Sequence, residues 1–93
     1  DFTYVGDIVD GLIRCGENIN EICGEEFELG NGENYSINEV AEAFGANYPV
    51  KYIEARKGEI RNTLCRDENA NELLGWNPRG NIVKFIEENY LND

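Results

Sequence analysis

The sequence predicts an α/β fold of the α+β-like kind, a small sheet of two to three short strands packed with about four helices. Three observations predict it. Apolar residues recur at steps of three and four in separate stretches, the period of an amphipathic helix. Two shorter stretches, 25–29 and 50–54, are strand-like, the first by its alternation of charged and apolar residues and the second by its Val, Tyr and Ile. Gly, Asn and Pro stand between these stretches as turn formers. At 93 residues the chain fits one small domain, 1–93. A chain of this length buries only about 60–65% of its unfolded surface, so its core is thin.

The first helix is expected from Gly6 to Asn18, with Ile8, Val9, Leu12, Ile13 and Cys15 as its apolar positions. Asp7 falls in the first turn, where a carboxylate favours the helix dipole, and Gly16 and Asn18 are stop signals. Glu25 to Leu29 reads as a strand running into the turn Gly30-Asn31-Gly32. Ser36-Ile37-Asn38-Glu39 has the Ser-x-x-Glu spacing of a capping box. Ile37, Val40, Ala41 and Phe44 continue that helix, and Gly45 ends it. Pro49 marks the start of a second strand over Val50 to Glu54. Arg56-Lys57-Gly58-Glu59 is a loop, and Asn62 to Arg66 is a candidate third strand. A helix starts at Asp67 or Glu68 and stops at Gly75, Trp76-Asn77-Pro78 is a turn, and Asn81 to Tyr90 is the last helix. So small a sheet is weak on its own and points to a missing partner.

Composition excludes several functions. The net charge of −11 argues against nucleic acid as a partner, because such binding rests on neutralising phosphates with Lys and Arg. No run approaches the ~18 apolar residues that span a bilayer, and no signal-peptide pattern is present, so no membrane partner is expected. The three cysteines lack C-x-x-C spacing and there is no histidine, so the usual zinc sites lack ligands. Small buried thiols in a reducing cytoplasm are the expectation. The chain has no Met and opens abruptly at Asp1, as expected of a piece of a longer protein and equally of a processed N-terminus.

Without histidine no Ser-His-Asp or Cys-His arrangement exists, and none of the five tyrosines is followed by Lys four residues later. No catalytic residue is assigned to this chain. Gly30-x-Gly32 follows a strand and precedes a helix, but Tyr35 stands where a dinucleotide fingerprint needs its third glycine. A tight turn before a capped helix is the simpler reading, and no cofactor is assigned to this chain. One segment does point to a ligand. Residues 51–66 hold Lys51, Arg56, Lys57, Arg61 and Arg66 against Glu54 and Glu59, a net of +3 inside an acidic chain. Exposed charges more than ~8–10 Å apart are largely screened, so this cluster can attract an anion locally. Arg56 offers a planar fork of donors suited to phosphate oxygens, Gly58 permits a sharp turn, and Glu59 can accept from sugar hydroxyls or hold the arginine. By itself the Arg-x-Gly-Glu pattern is short and common, and an exposed loop with surface ion pairs accounts for it as well.

The segments taken together resemble a family. Asp1 to Gly11 is similar to the "RDFTYVDDIVDG" stretch of the extended short-chain dehydrogenase/reductases that act on nucleotide sugars. Glu26 to Gly32 resembles their "VFNLGSG", Ser36 to Ala43 their "SINEVAEA" and Arg56 to Glu59 their "RPGD/E". Leu73 to Pro78 resembles their "LLGWxP". The motifs run in order over almost the whole chain and are most similar to the UDP-glucose 4-epimerase-like members. Departures are Gly6 for an acid, Glu28 for Asn, and Arg66-Asp67 where an Ala-Asp-Ile-Ser run is usual.

The resemblance implies a longer parent, a homodimer, whose missing N-terminal Rossmann domain holds NAD and a Tyr/Lys pair. That domain would oxidise a sugar hydroxyl by hydride transfer and then return the hydride. The present chain would be the substrate domain, inactive alone, binding a nucleotide-diphosphate sugar. Arg56 would clamp the diphosphate, Glu59 would contact the ribose or the arginine, and Arg61 is a weaker candidate for the phosphates. A second arginine of the family would precede Asp1. Glu59 and Ile60 stand where the 4,6-dehydratase branch has His-Asp, which favours an epimerase over a dehydratase. The alternatives are a stand-alone, non-catalytic binding module of the same fold and the same domain from a nucleotide-sugar 4,6-dehydratase.

Overall fold

The computed structural model describes residues 1–90; residues 91–93, the end of the domain expected over 1–93, lie outside the described residues. Its elements are α1 (Val5–Glu17), α2 (Ile19–Ile22), α3 (Ile37–Ala43), α4 (Asn69–Leu74) and α5 (Ile82–Tyr90). Four of these stand where the apolar period places helices. The fifth, α2, is a single turn that the sequence does not announce.

The expected sheet is absent. Among the described residues there is no strand, so the α/β assignment is corrected to an all-helical arrangement joined by extended and irregular segments. A strand is defined by a ladder with a neighbouring backbone. Here the backbone groups of two expected strands bond to side chains instead. Asn31 and Gly32, just after the first, and Cys65 in the third donate their amides to the Asp1 carboxylate. Thr63 O accepts from Asn34 Nδ2. The remaining one, 50–54, has β-branched residues but forms no ladder; Tyr52 and Ile53 are 80% and 75% exposed.

The core is small. Ile22, Ala70, Leu74 and Trp76 are buried together, with Cys15, Phe27 and Leu29 packed against them. Trp76 reaches this position because Gly75, at φ +64°, ends α4 in the left-handed region. The chain then turns back, and Trp76 N donates to Ala70 O at 3.1 Å. Its indole Nε1 donates to Asp7 O of α1 at 2.8 Å, which satisfies the one polar atom of a buried ring. Gly11 lets α1 approach this ring closely: a Cβ there would stand 2.7 Å from Leu29 Cδ1 and 3.2 Å from Trp76 Nε1. Arg14 fastens α1 to the end of α4, donating from Nη1 to Leu74 O at 3.1 Å while Nε holds Asp10.

A second group joins α3 to α5. Ile86 is buried, and the Phe44 ring lies 5.0 Å from Tyr48 and 5.5 Å from Tyr90. The capping box holds as the spacing predicts, Glu39 N donating to Ser36 Oγ and Ser36 N to Glu39 Oε1, both at 3.0 Å. Asp7 stands in the first turn of α1 as expected, and its carboxylate also accepts from the amides of Arg79 and Gly80 and ties α1 to the approach of α5. The thiols depart from expectation as well, since Cys23 is exposed and Cys15 and Cys65 are half-buried. The molecule is flat, 51 × 36 × 15 Å, with a radius of gyration of 16.5 Å. A compact domain of this length has about 12 Å.

Candidate functional site

Between Pro49 and Leu64 the chain leaves the helices as an extended, exposed arm. At its tip Glu59 N donates to Arg56 O at 3.3 Å, closing a four-residue turn. Gly58 takes φ +86°, a conformation side chains resist, which is why glycine stands there. The turn brings two of the three predicted site residues together. Arg56 donates from Nε at 3.1 Å and from Nη2 at 2.8 Å to the same oxygen, Glu59 Oε1. Both side chains are exposed, at 79% and 52%, so the pair orients the guanidinium rather than stabilising the fold. The Nη1 edge of Arg56 has no partner among the described residues. Arg61 is exposed two residues further on, without a hydrogen bond or ion pair among the described residues, and is not joined to the pair.

Two grooves of the surface do not include this loop. One, of about 660 Å³, runs between the N-terminal segment and α5 and is lined by Phe2, Tyr4, Asp7, Arg79 and Phe85 among others. The other, of about 330 Å³, lies beside the Gly30–Gly32 turn with Cys65, Arg66 and Asn71. Arg56, Glu59, Arg61 and Glu28 line neither. The loop presents its charge and donors on an exposed surface. Among the described residues no group of His, Cys, Asp and Glu is placed to hold a metal. No helix there is long and apolar enough to cross a membrane.

The Gly30-Asn31-Gly32 turn has the backbone donors of an anion site, but they are taken. Asn31 N and Gly32 N point to the two oxygens of Asp1, at 2.9 and 3.1 Å. Those two amides are not available to a dinucleotide phosphate, and among the described residues no strand–helix–strand unit surrounds the turn. Asp1 is the residue the sequence reading passed over. Its only signal there is its position at the head of the first motif, two residues before a hydroxyl at Thr3.

Comparison with known proteins gives a consistent answer. The chain is 31% identical over 90 residues to a UDP-glucose 4-epimerase of Mycolicibacterium smegmatis, covering 92% of this chain and 28% of that protein. It is 24% identical over 95 residues to the UDP-glucose 4-epimerase of Bacillus subtilis, covering 97% and 28%. It is 27% identical over 97 residues to that of Halalkalibacterium halodurans, covering 99% and 29%. The chain thus spans little more than a quarter of the length of these relatives. No protein-family model matches it. No solved structure matches it at a significant level. Along nearly its whole length, then, this chain is similar to the C-terminal part of the UDP-glucose 4-epimerases, the family whose motifs it carries in order.

Proposed function

We propose that the chain is the substrate-anchoring part of an NAD-dependent UDP-sugar epimerase, with Arg56 and Glu59 at the nucleotide diphosphate and Arg61 as an auxiliary phosphate contact. The observation that carries this reading is the conjunction of the match with the loop. A chain similar to epimerases over more than nine-tenths of its length presents, on an exposed arm, an arginine oriented by an acid with one donor edge free. An arginine held in this way approaches a phosphate with little further loss of freedom. Each charge-assisted contact contributes about 1.5–3 kcal/mol, so two or three give micromolar affinity at best in a complete pocket. Anchoring the nucleotide leaves the sugar positioned for chemistry elsewhere.

Two features support the view that the rest of the pocket lies outside this chain. The accessible surface is 7685 Å² for 10.6 kDa. A compact protein of that mass exposes about 5,500 Å², and the excess is of the size that obligate interfaces bury. The first helix is also apolar on two sides. Gly11 and Cys15 face the Trp76 group, while Val5, Val9, Leu12 and Ile13 are 69%, 49%, 61% and 53% exposed. A helix apolar around so much of its circumference is normally covered on both sides. The missing cover is assigned to the Rossmann domain of the parent. The Gly30–Gly32 turn does not fit NAD, because its amides are taken by Asp1. The cofactor belongs to that other domain, and no step of the reaction is assigned here.

The test is titration of the ¹⁵N-labelled chain with UDP and UDP-glucose, followed by NMR. Weak binding with shifts confined to residues 56–61 is expected, and Arg56→Ala abolishes it. Micromolar binding that survives Arg56→Ala removes the site assignment.

A further inference from the structure

The arm that carries Arg56 has two limbs, and neither is held by a strand ladder. The outgoing limb has one polar tie to the body, Tyr52 Oη to Asn38 Oδ1, at 3.5 Å the limit of a hydrogen bond. The returning limb is held more firmly. Asn34 Nδ2 donates to Asn62 Oδ1 at 2.6 Å and to Thr63 O at 3.1 Å. Cys65 N donates to Asp1 Oδ2 at 3.0 Å.

The Asp1 carboxylate does more than hold this limb. Its Oδ1 accepts from Asn31 N at 2.9 Å and Thr3 Oγ1 at 3.0 Å, and its Oδ2 from Gly32 N at 3.1 Å as well as from Cys65 N. One carboxylate thus gathers donors from three separate stretches of chain: the N-terminal segment, the Gly30–Gly32 turn and the root of the arm. Bonds to an ionised acceptor are roughly twice as strong as neutral ones, so the knot is stiff. It is also tight, because a Cβ on Gly30 would lie 2.2 Å from Cys65 Cβ. None of its donors belongs to the buried group around Trp76.

The geometry points to Asp1 as the positioning residue of the Arg56–Arg61 loop, fixing the root of the arm and so the direction in which the loop stands. This role rests on the nucleotide-anchoring reading for its purpose but not for its test. The experiment uses the ¹⁵N-labelled chain with no nucleotide present and compares it with Asp1→Asn, which keeps the shape but turns an amide group toward the backbone donors. Hydrogen exchange at Asn31, Gly32 and Cys65 is expected to rise on the order of tenfold. Residual dipolar couplings of residues 56–61 are expected to shrink toward zero, while those of α1 and α5 keep their values. Thr3→Ala, which removes a single donor, moves both readouts the same way by less. Unchanged exchange, or faster exchange with unchanged couplings at 56–61, overturns the inference. So does loss of order in α1 and α5 along with the loop, in both variants, which would make Asp1 a general structural residue. A chain that passes this test but ignores UDP retires the nucleotide reading and leaves the knot standing.

Discussion

At Arg56 a small change separates a binding role from a folding role. The guanidinium and the Glu59 carboxylate are both exposed, and ion pairs of this kind contribute about 0–1 kcal/mol. Arg56→Ala and Glu59→Gln are therefore expected to leave the urea midpoint nearly unchanged while removing the nucleotide-dependent shifts. A large loss of stability in either variant would mean that the pair serves the fold. Gly30 is the opposite case. Ala at this position would drive a methyl group into Cys65 Cβ, and neither backbone is free to retreat while Asp1 holds both. A stability loss of roughly 1–3 kcal/mol is expected by urea denaturation. The sequence marked Gly30 as a turn residue, but its close approach to a residue thirty-five positions away was not visible from local pattern.

Helices were legible because their signals are local. Ser36 and Glu39 announce the start of α3 by spacing alone, and the bonds they predict are both formed. In a helix of seven residues such a cap is a large share of its support, and Ser36→Ala is expected to cost about 1 kcal/mol. Loss of helical signal at residues 37–43 with α5 intact would confirm it by NMR. The strands were illegible for the complementary reason. Alternation in 25–29 and branched residues in 50–54 state a preference for extended backbone, but a strand also needs a neighbour. No local rule revealed that Asp1 and Asn34 would instead take up the backbone groups of residues 31, 32, 63 and 65. The site was read in part on the same terms. Arg56 and Glu59 are three residues apart across a glycine turn and do meet, whereas Arg61 stands apart from them.

For the molecule as a whole, a flat shape and a thin core set the expectations. With so few buried side chains, Ile86→Ala is expected to cost 2–5 kcal/mol, enough to unfold a marginal chain. The outward face of α1 should bind a hydrophobic dye and promote association, and Leu12→Lys should suppress both without lowering stability. If the substitution unfolds the chain, that face is part of the core. The central claim is that these residues are the nucleotide-anchoring portion of a larger epimerase. Reading the coding DNA upstream of Asp1 tests it most directly. The account predicts an in-frame stretch of domain length carrying a Gly-x-x-Gly-x-x-Gly turn and a Tyr-x-x-x-Lys pair. A start codon immediately before Asp1, preceded by an in-frame stop, would contradict it.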